Sequence, residues 1–145
     1  MRASSFKALV PPTAGRSRIM RANKSKDSKP EMLVRRALWH SGHRGYRVHY
    51  TKAKGRPDVC FVSRKIAIFI HGCFWHRCPA CRYKLPKVNS AFWNDKFQSN
   101  VRRDAKNALS LQECGWRVIT LWECEILADL SGCLRKAIDI LGTEP

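Results

Sequence analysis

Two groups of side chains in this sequence are suited to chemistry. The first is a run of thiols. Cys73, Cys78 and Cys81 fall within nine residues, and Cys124 follows a later apolar segment. Zinc takes four soft or borderline ligands in a tetrahedron, and the two-residue spacer between Cys78 and Cys81 lets both thiolates reach one ion. A fourth thiolate from a distant strand would clamp the loop to the rest of the fold. His76 lies inside the same loop and is an alternative ligand. The second group comprises Asp58, directly after Gly55-Arg56-Pro57, His71, at the end of the apolar run Ile66–Ile70, and Asp104. Such residues suit phosphodiester chemistry. Cleavage at neutral pH needs a metal ion to stabilise developing charge and a base to activate water. A hard ion such as magnesium is held by one or two carboxylates with backbone oxygens.

The elements that must position these groups follow from pattern. Ser28-Lys29-Pro30-Glu31 is a capping-box sequence, so a helix starts there, with Met32, Leu33, Ala37 and Leu38 on its apolar face and Ser41-Gly42 at its end. Tyr46–Tyr50 reads as a short strand. Asp58–Val62 and Lys65–Ile70 are rich in β-branched and aromatic residues, and Ser63-Arg64 between them predicts a hairpin. Ile66–Ile70 is apolar on both faces and should be a central strand. If the two strands pair, Asp58, the Ile70 carbonyl and the His71 imidazole meet at one point. Residues 71 to 86 form an irregular Cys/His/Pro-rich loop. A long helix follows from Phe92 to about Cys114, with Trp93, Phe97, Val101, Ala105 and Ala108 at helical spacing and Gly115 as the stop. Asp104 shares the side of Phe97 and Val101, an unusual place for a charge, and calls for a partner such as a histidine. Trp116–Trp122 reads as a buried strand and Leu127–Leu141 as an amphipathic closing helix. Cys60, Cys114 and Cys133 read as small core residues. The order is that of an α/β layer fold.

Composition narrows the partner. The chain has 145 residues, the size of one domain, and its 28 Lys+Arg against 11 Asp+Glu give a net charge of +17. A surface so positive gains affinity for polyanions by releasing counterions from phosphates, so nucleic acid is the expected partner. Residues 1–27 read as a basic N-terminal arm and 28–145 as the folded domain. No run is long and apolar enough to span a membrane. Seven cysteines, an odd number, suit metal binding in a reducing compartment better than a disulfide framework.

His71-Gly72-Cys73-Phe74-Trp75-His76 is distinctive. Together with Gly55-Arg56-Pro57-Asp58, Phe92-Trp93, Asn100-Val101-Arg102-Arg103-Asp104, Gly115-Trp116-Arg117-Val118 and Trp122-Glu123-Cys124, it resembles the very short patch repair DNA mismatch endonucleases, in order and spacing, from about Arg16 to Leu127. The resemblance implies a restriction-endonuclease-like three-layer α/β fold with a central mixed β-sheet and a structural zinc site. It implies a monomer in the bacterial cytoplasm, associated with the nucleoid, that nicks double-stranded DNA on the 5′ side of the thymine in T:G mismatches left by deamination of 5-methylcytosine. Mismatch-repair proteins are candidate partners. Residue by residue, it makes Asp58 a magnesium ligand helped by the Ile70 carbonyl and places His71 at the phosphate. His76 becomes the general base, oriented by Asp104, and Glu31 supports the site through water. Cys73, Cys78, Cys81 and Cys124 hold zinc. Phe74, Trp75 and Trp93 form an aromatic wedge beside the mismatch, where weak pairing lowers the cost of opening the stack. Met20 and Arg21, in the arm, reach the minor groove.

Two departures from related patterns stand out. Restriction-like nucleases carry a Glu-x-Lys or close variant on the second strand, whereas Ile68-Phe69-Ile70 is wholly apolar; the repair family shares that absence. Some repair-family members have a histidine where Cys78 stands, with the next cysteine displaced by one residue. Two rival readings are a noncatalytic zinc-stabilised DNA-binding module and a homing or restriction nuclease cutting both strands of matched DNA. The first leaves Asp58, His71, His76 and Asp104 in register for no reason.

Overall fold

The ends of the predicted hairpin do meet. In a computed structural model of the protein, which describes residues 26–142, β2 (Val59–Phe61) pairs antiparallel with β3 (Ile66–His71), with Val59 opposite Ile68 and Phe61 opposite Ile66. A turn at 62–65 joins them, closed by the Arg64 and Lys65 amides on the Phe61 and Val62 carbonyls. β1 is only Arg47–Val48, an exposed edge pair shorter than the predicted Tyr46–Tyr50. The helix α2 (Ser90–Glu113) leads across to β4 (Arg117–Trp122), which lies parallel to β3. The four-stranded sheet has the order β1-β2-β3-β4 and is therefore mixed, as expected.

Alternation along the strands builds two cores. Val59, Phe61, Ile66, Ile68, Ile70, Ile119 and Leu121 face one way and pack against α1 (Lys29–His40), α3 (Glu123–Ala128) and α4 (Leu130–Gly142). Ala67, Phe69 and Val118 face the other way, meeting Leu111 at the end of α2 together with Ala53, Tyr50 and Trp116. β3 is buried on both faces because it is an inner strand between layers, and Ile66, Ala67 and Ile68 are wholly inaccessible. Helices on each side of the sheet make this a three-layer α/β arrangement.

Several local expectations need correction. Ser28 makes no side-chain cap, and Glu31 instead accepts the amide of Asp27, one residue earlier than a capping box requires. Val34, absent from the predicted face of α1, is buried with Leu38, whereas Met32 is only half-buried. The closing helix is two helices broken at Asp129, whose non-helical backbone ends α3 and whose carboxylate accepts the Gly132 amide. On α2, Val101 and Ala105 are exposed; only Phe97 and Leu111 are buried, since the helix is gripped near its two ends. Cys60 and Cys133 are core residues, but Cys114 caps α2 at the surface. Gly115 ends α2 with a φ of +84°, the left-handed conformation expected of a helix stop.

Candidate active site and cysteine cluster

A cleft of about 1460 Å³ opens where α1, the β2–β3 ends and α2 converge, and Glu31, Asp58, Ile70, His71, His76 and Asp104 all line it. Asp58 enters it because it immediately precedes β2. There its Oδ2 accepts the Ile70 amide at 2.7 Å across the hairpin. The turn before it is pressed against α2. A Cβ on Gly55 would come within 2.9 Å of Asn107, and the φ of +81° at Gly55 independently favours glycine.

Asp58 is mostly buried, and burial pushes its carboxyl up to about 6; the Ile70 amide pulls the other way and the nearby Glu31 charge adds to the rise. Such a carboxylate, desolvated and near a second acid, gains from a cation. His71, the last residue of β3, is 8% exposed. Burial and the adjacent His76 push its imidazole down to about 4, against the opposing pull of Asp104, so it is neutral at physiological pH.

His76 comes from the loop after β3, where its amide bonds the Gly72 carbonyl. Its ring stacks on that of His71, 4.1 Å between centroids and 4° between planes. Its Nδ1 lies 2.6 Å from Oδ2 of Asp104 on α2. Burial alone would raise Asp104, but the hydrogen bond and charge of His76 outweigh it and hold the carboxyl below its ordinary range. An ionised carboxylate only accepts, so Nδ1 carries a proton, and in the neutral ring Nε2 is then the acceptor. This is the tautomer a general base requires. The partner that a charge on α2 called for is thus His76.

The four predicted thiols also converge. The sulfurs of Cys73, Cys78, Cys81 and Cys124 all lie within 4.8 Å of one another. Cys78 and Cys124 are 3.8 Å apart, and the Cys124 amide points at Cys73 Sγ from 3.3 Å. Tetrahedral zinc with sulfur at about 2.3 Å places its thiolates about 3.8 Å apart. This cluster can hold a metal ion. His76, the alternative ligand by sequence, faces Asp104 and the cleft instead, while Cys81 lies within the cluster.

A third group, Asp27, Glu31 and His49, also has metal-like geometry, but its centre is filled by a guanidinium. Arg35 places Nη1 2.5 Å from Asp27 and Nη2 2.9 Å from both Glu31 and His49 Nε2. The His49 amide bonds the Asp58 carbonyl, so this network buttresses the segment that leads from Asp58 into β2. The sequence reading missed it. Its one visible signal was the i,i+4 pair of Glu31 and Arg35 on α1.

The predicted aromatics form one half-buried cluster between the loop and α2. Phe74 meets Trp75, Trp93 and Phe97 edge-on, while Trp93 stacks on Phe97 at 5.6 Å. Asn100 donates to the Trp75 carbonyl, and the Lys96 ammonium stands 5.4 to 6.0 Å from the rings of Trp75, Trp93 and Phe92. Lys54, Arg56 and Arg103 line the cleft itself. None of these polar residues was assigned a role from sequence, although the Gly-Arg-Pro-Asp and Arg-Asp dipeptide contexts pointed to two of them. Met20 and Arg21 lie outside the described residues.

A family model described as "DNA mismatch endonuclease Vsr" matches residues 10–82, a span that includes Asp58, His71 and His76. The chain belongs to the Vsr DNA mismatch endonuclease family. Similar proteins include the type II nicking enzyme V.NaeI of Lentzea aerocolonigenes, 44% identical over 125 residues that cover 83% of this chain and 74% of that protein. Another is the type II nicking enzyme V.NmeAIP of Neisseria meningitidis serogroup A, 41% identical over 79% of this chain and 81% of its own length. The DNA mismatch endonuclease Vsr of Escherichia coli K12 is 38% identical over 78% of this chain and 72% of that protein. This family member is accordingly a nuclease that hydrolyses DNA. Among the described residues, no helix is long and apolar enough to cross a membrane.

Proposed function

We propose that this endonuclease nicks one strand of duplex DNA on the 5′ side of the thymine in a T:G mismatch, with His76 as general base and Asp58 as the ligand of a magnesium ion. The observation that carries the reading is the His76–Asp104 pair facing the same cleft as the raised Asp58 carboxyl. The donor set suits a hard cation, since Glu31 is buried, Asp58 is half-buried, and the Glu31 charge acts on Asp58. Magnesium, when bound at Asp58 with the Ile70 carbonyl, supplies charge neutralisation to the phosphate. Asp104 fixes the tautomer and plane of His76, whose Nε2 takes a proton from the attacking water. Neutral His71, stacked beneath His76, donates its N–H to a phosphate oxygen without adding charge. Glu31 supports the site through water and through its coupling to Asp58.

In the same reading, zinc would be held by the four cysteines and would tie the loop of His76 to the start of α3. A restriction-endonuclease-like fold accounts for a cleft at the mouth of a mixed sheet. Phe74, Trp75 and Trp93 form the wedge that tests the base stack, and Lys54, Arg56 and Arg103 meet phosphates. Cleavage of duplexes labelled on each strand in turn, matched and T:G-mismatched, tests the assignment. The expected product is a single nick 5′ of the mismatched thymine; equal cutting of matched DNA, or cutting of both strands, contradicts it.

A further inference from the structure

Arg77 sits between two residues with assigned work, His76 and the thiol Cys78, yet its side chain points toward neither of their sites. Its guanidinium carbon lies 4.1 Å from the ring centroid of Phe97 and 5.8 Å from that of Phe74. Nη2 donates to the Tyr83 carbonyl, while Nη1 is buried with no hydrogen-bond partner among the described residues. The backbone at Arg77 has a φ of +56°, a left-handed conformation unfavourable for an arginine. Such strain persists only where the surroundings over-determine it. Here the surroundings are two aromatic faces and the carbonyl of Tyr83, whose ring also meets Phe74 edge-on. Phe74 and Phe97 in turn contact Trp75 and Trp93.

We propose that Arg77 is a positioning residue for mismatch discrimination: its guanidinium, stacked against Phe97 and facing Phe74, sets the orientation in which Trp75 and Trp93 meet the base stack. The proposal rests on the wedge reading of those rings. A planar, weakly hydrated guanidinium suits this slot, because it stacks and still reaches a carbonyl. A lysine ammonium is compact and strongly hydrated, so it keeps the charge and loses the platform.

The test uses the zinc-loaded full chain carrying Trp39→Phe, which removes the exposed indole of α1, with and without Arg77→Lys or Arg77→Met. Acrylamide quenching of tryptophan emission without DNA reads the hold on the rings. Single-turnover cleavage of T:G and matched T:A duplexes reads discrimination. Arg77→Lys is expected to retain zinc, raise quenching and lower the T:G preference about tenfold, the scale of one desolvated cation–π contact. Arg77→Met, which keeps only the stem, does the same or more. Quenching or preference unchanged in both variants overturns the proposal. So does loss of zinc in both, which makes Arg77 part of the cysteine framework. A parent chain with no T:G preference refutes the wedge reading instead, and quenching still decides whether Arg77 orders the rings.

Discussion

The imidazoles of His71 and His76 lie parallel and 4.1 Å apart, one buried and neutral, the other hydrogen-bonded to Asp104. Two stacked rings this close do not both hold a proton readily, since like charges disfavour each other. The arrangement divides the labour. His71 is pushed toward the neutral form, and the proposed general base is the His76 ring that Asp104 orients.

Asp104→Asn tests that division. An asparagine keeps the shape but not the charge, and it no longer dictates that Nδ1 of His76 be the donor. Single-turnover cleavage is expected to fall about 10²- to 10⁴-fold, the range typical of a misdirected general base, with DNA affinity within a few-fold of native. Loss of affinity in parallel with rate would make Asp104 a framework residue.

Asp58→Asn gives a stability signature in zinc-loaded, magnesium-free protein. The folded value of about 6 stands above the ordinary 3.8, so between those limits the folded state holds a proton that the unfolded chain has lost. Native stability from this group is therefore greatest below pH 4 and declines as pH rises to 6. The variant lacks that decline and gains on the native protein across the window by about 2–3 kcal/mol. His71, lowered to about 4, acts in the opposite direction: its contribution is missing at pH 4 and restored toward pH 6.5. A His71→Asn variant thus flattens the opposing slope. Urea titrations at pH 4.5 and 6.5 measure both, and identical differences at the two pH values would contradict the burial of these groups.

Cys124→Ser removes the thiol that links the loop to α3. Metal content measured on the purified protein is expected to drop, with a fall in Tm of several degrees. An unchanged metal stoichiometry excludes Cys124 as a ligand.

Trp75→Ala is expected to reduce preference for T:G over matched duplex by about tenfold or more while total affinity changes less, as removal of a stacked base contact would. Competition binding at fixed salt separates the two. A uniform loss on both duplexes contradicts a wedge.

Much of this arrangement is legible in the sequence because strand ends are. β-Branched and aromatic runs identify β2 and β3, the Ser63-Arg64 turn pairs them, and Asp58 and His71 then stand at the same end. The cysteines are legible by spacing. Other features arise only when distant segments pack. The Arg35 network joins α1 to His49, which lies near β1; the Glu31–Arg35 spacing signals only its half on α1, and no local pattern places His49 beside it. Val101 was misread for a related reason: helical spacing marks a stripe but does not say over which part of α2 a partner covers it. The break at Asp129 is a matter of a single side chain capping Gly132, and a continuous apolar period hides it.

The central claim is that an acid from the β2–β3 hairpin and an imidazole oriented from α2 act on one phosphate. Single-turnover cleavage of a strand-labelled T:G duplex by Asp58→Asn and by His76→Ala, with binding measured on the same samples, tests it most directly. The account predicts near-native binding and a loss of cleavage of about 10³-fold or more in each variant. Cleavage within about tenfold of native in either variant, with binding intact, contradicts it.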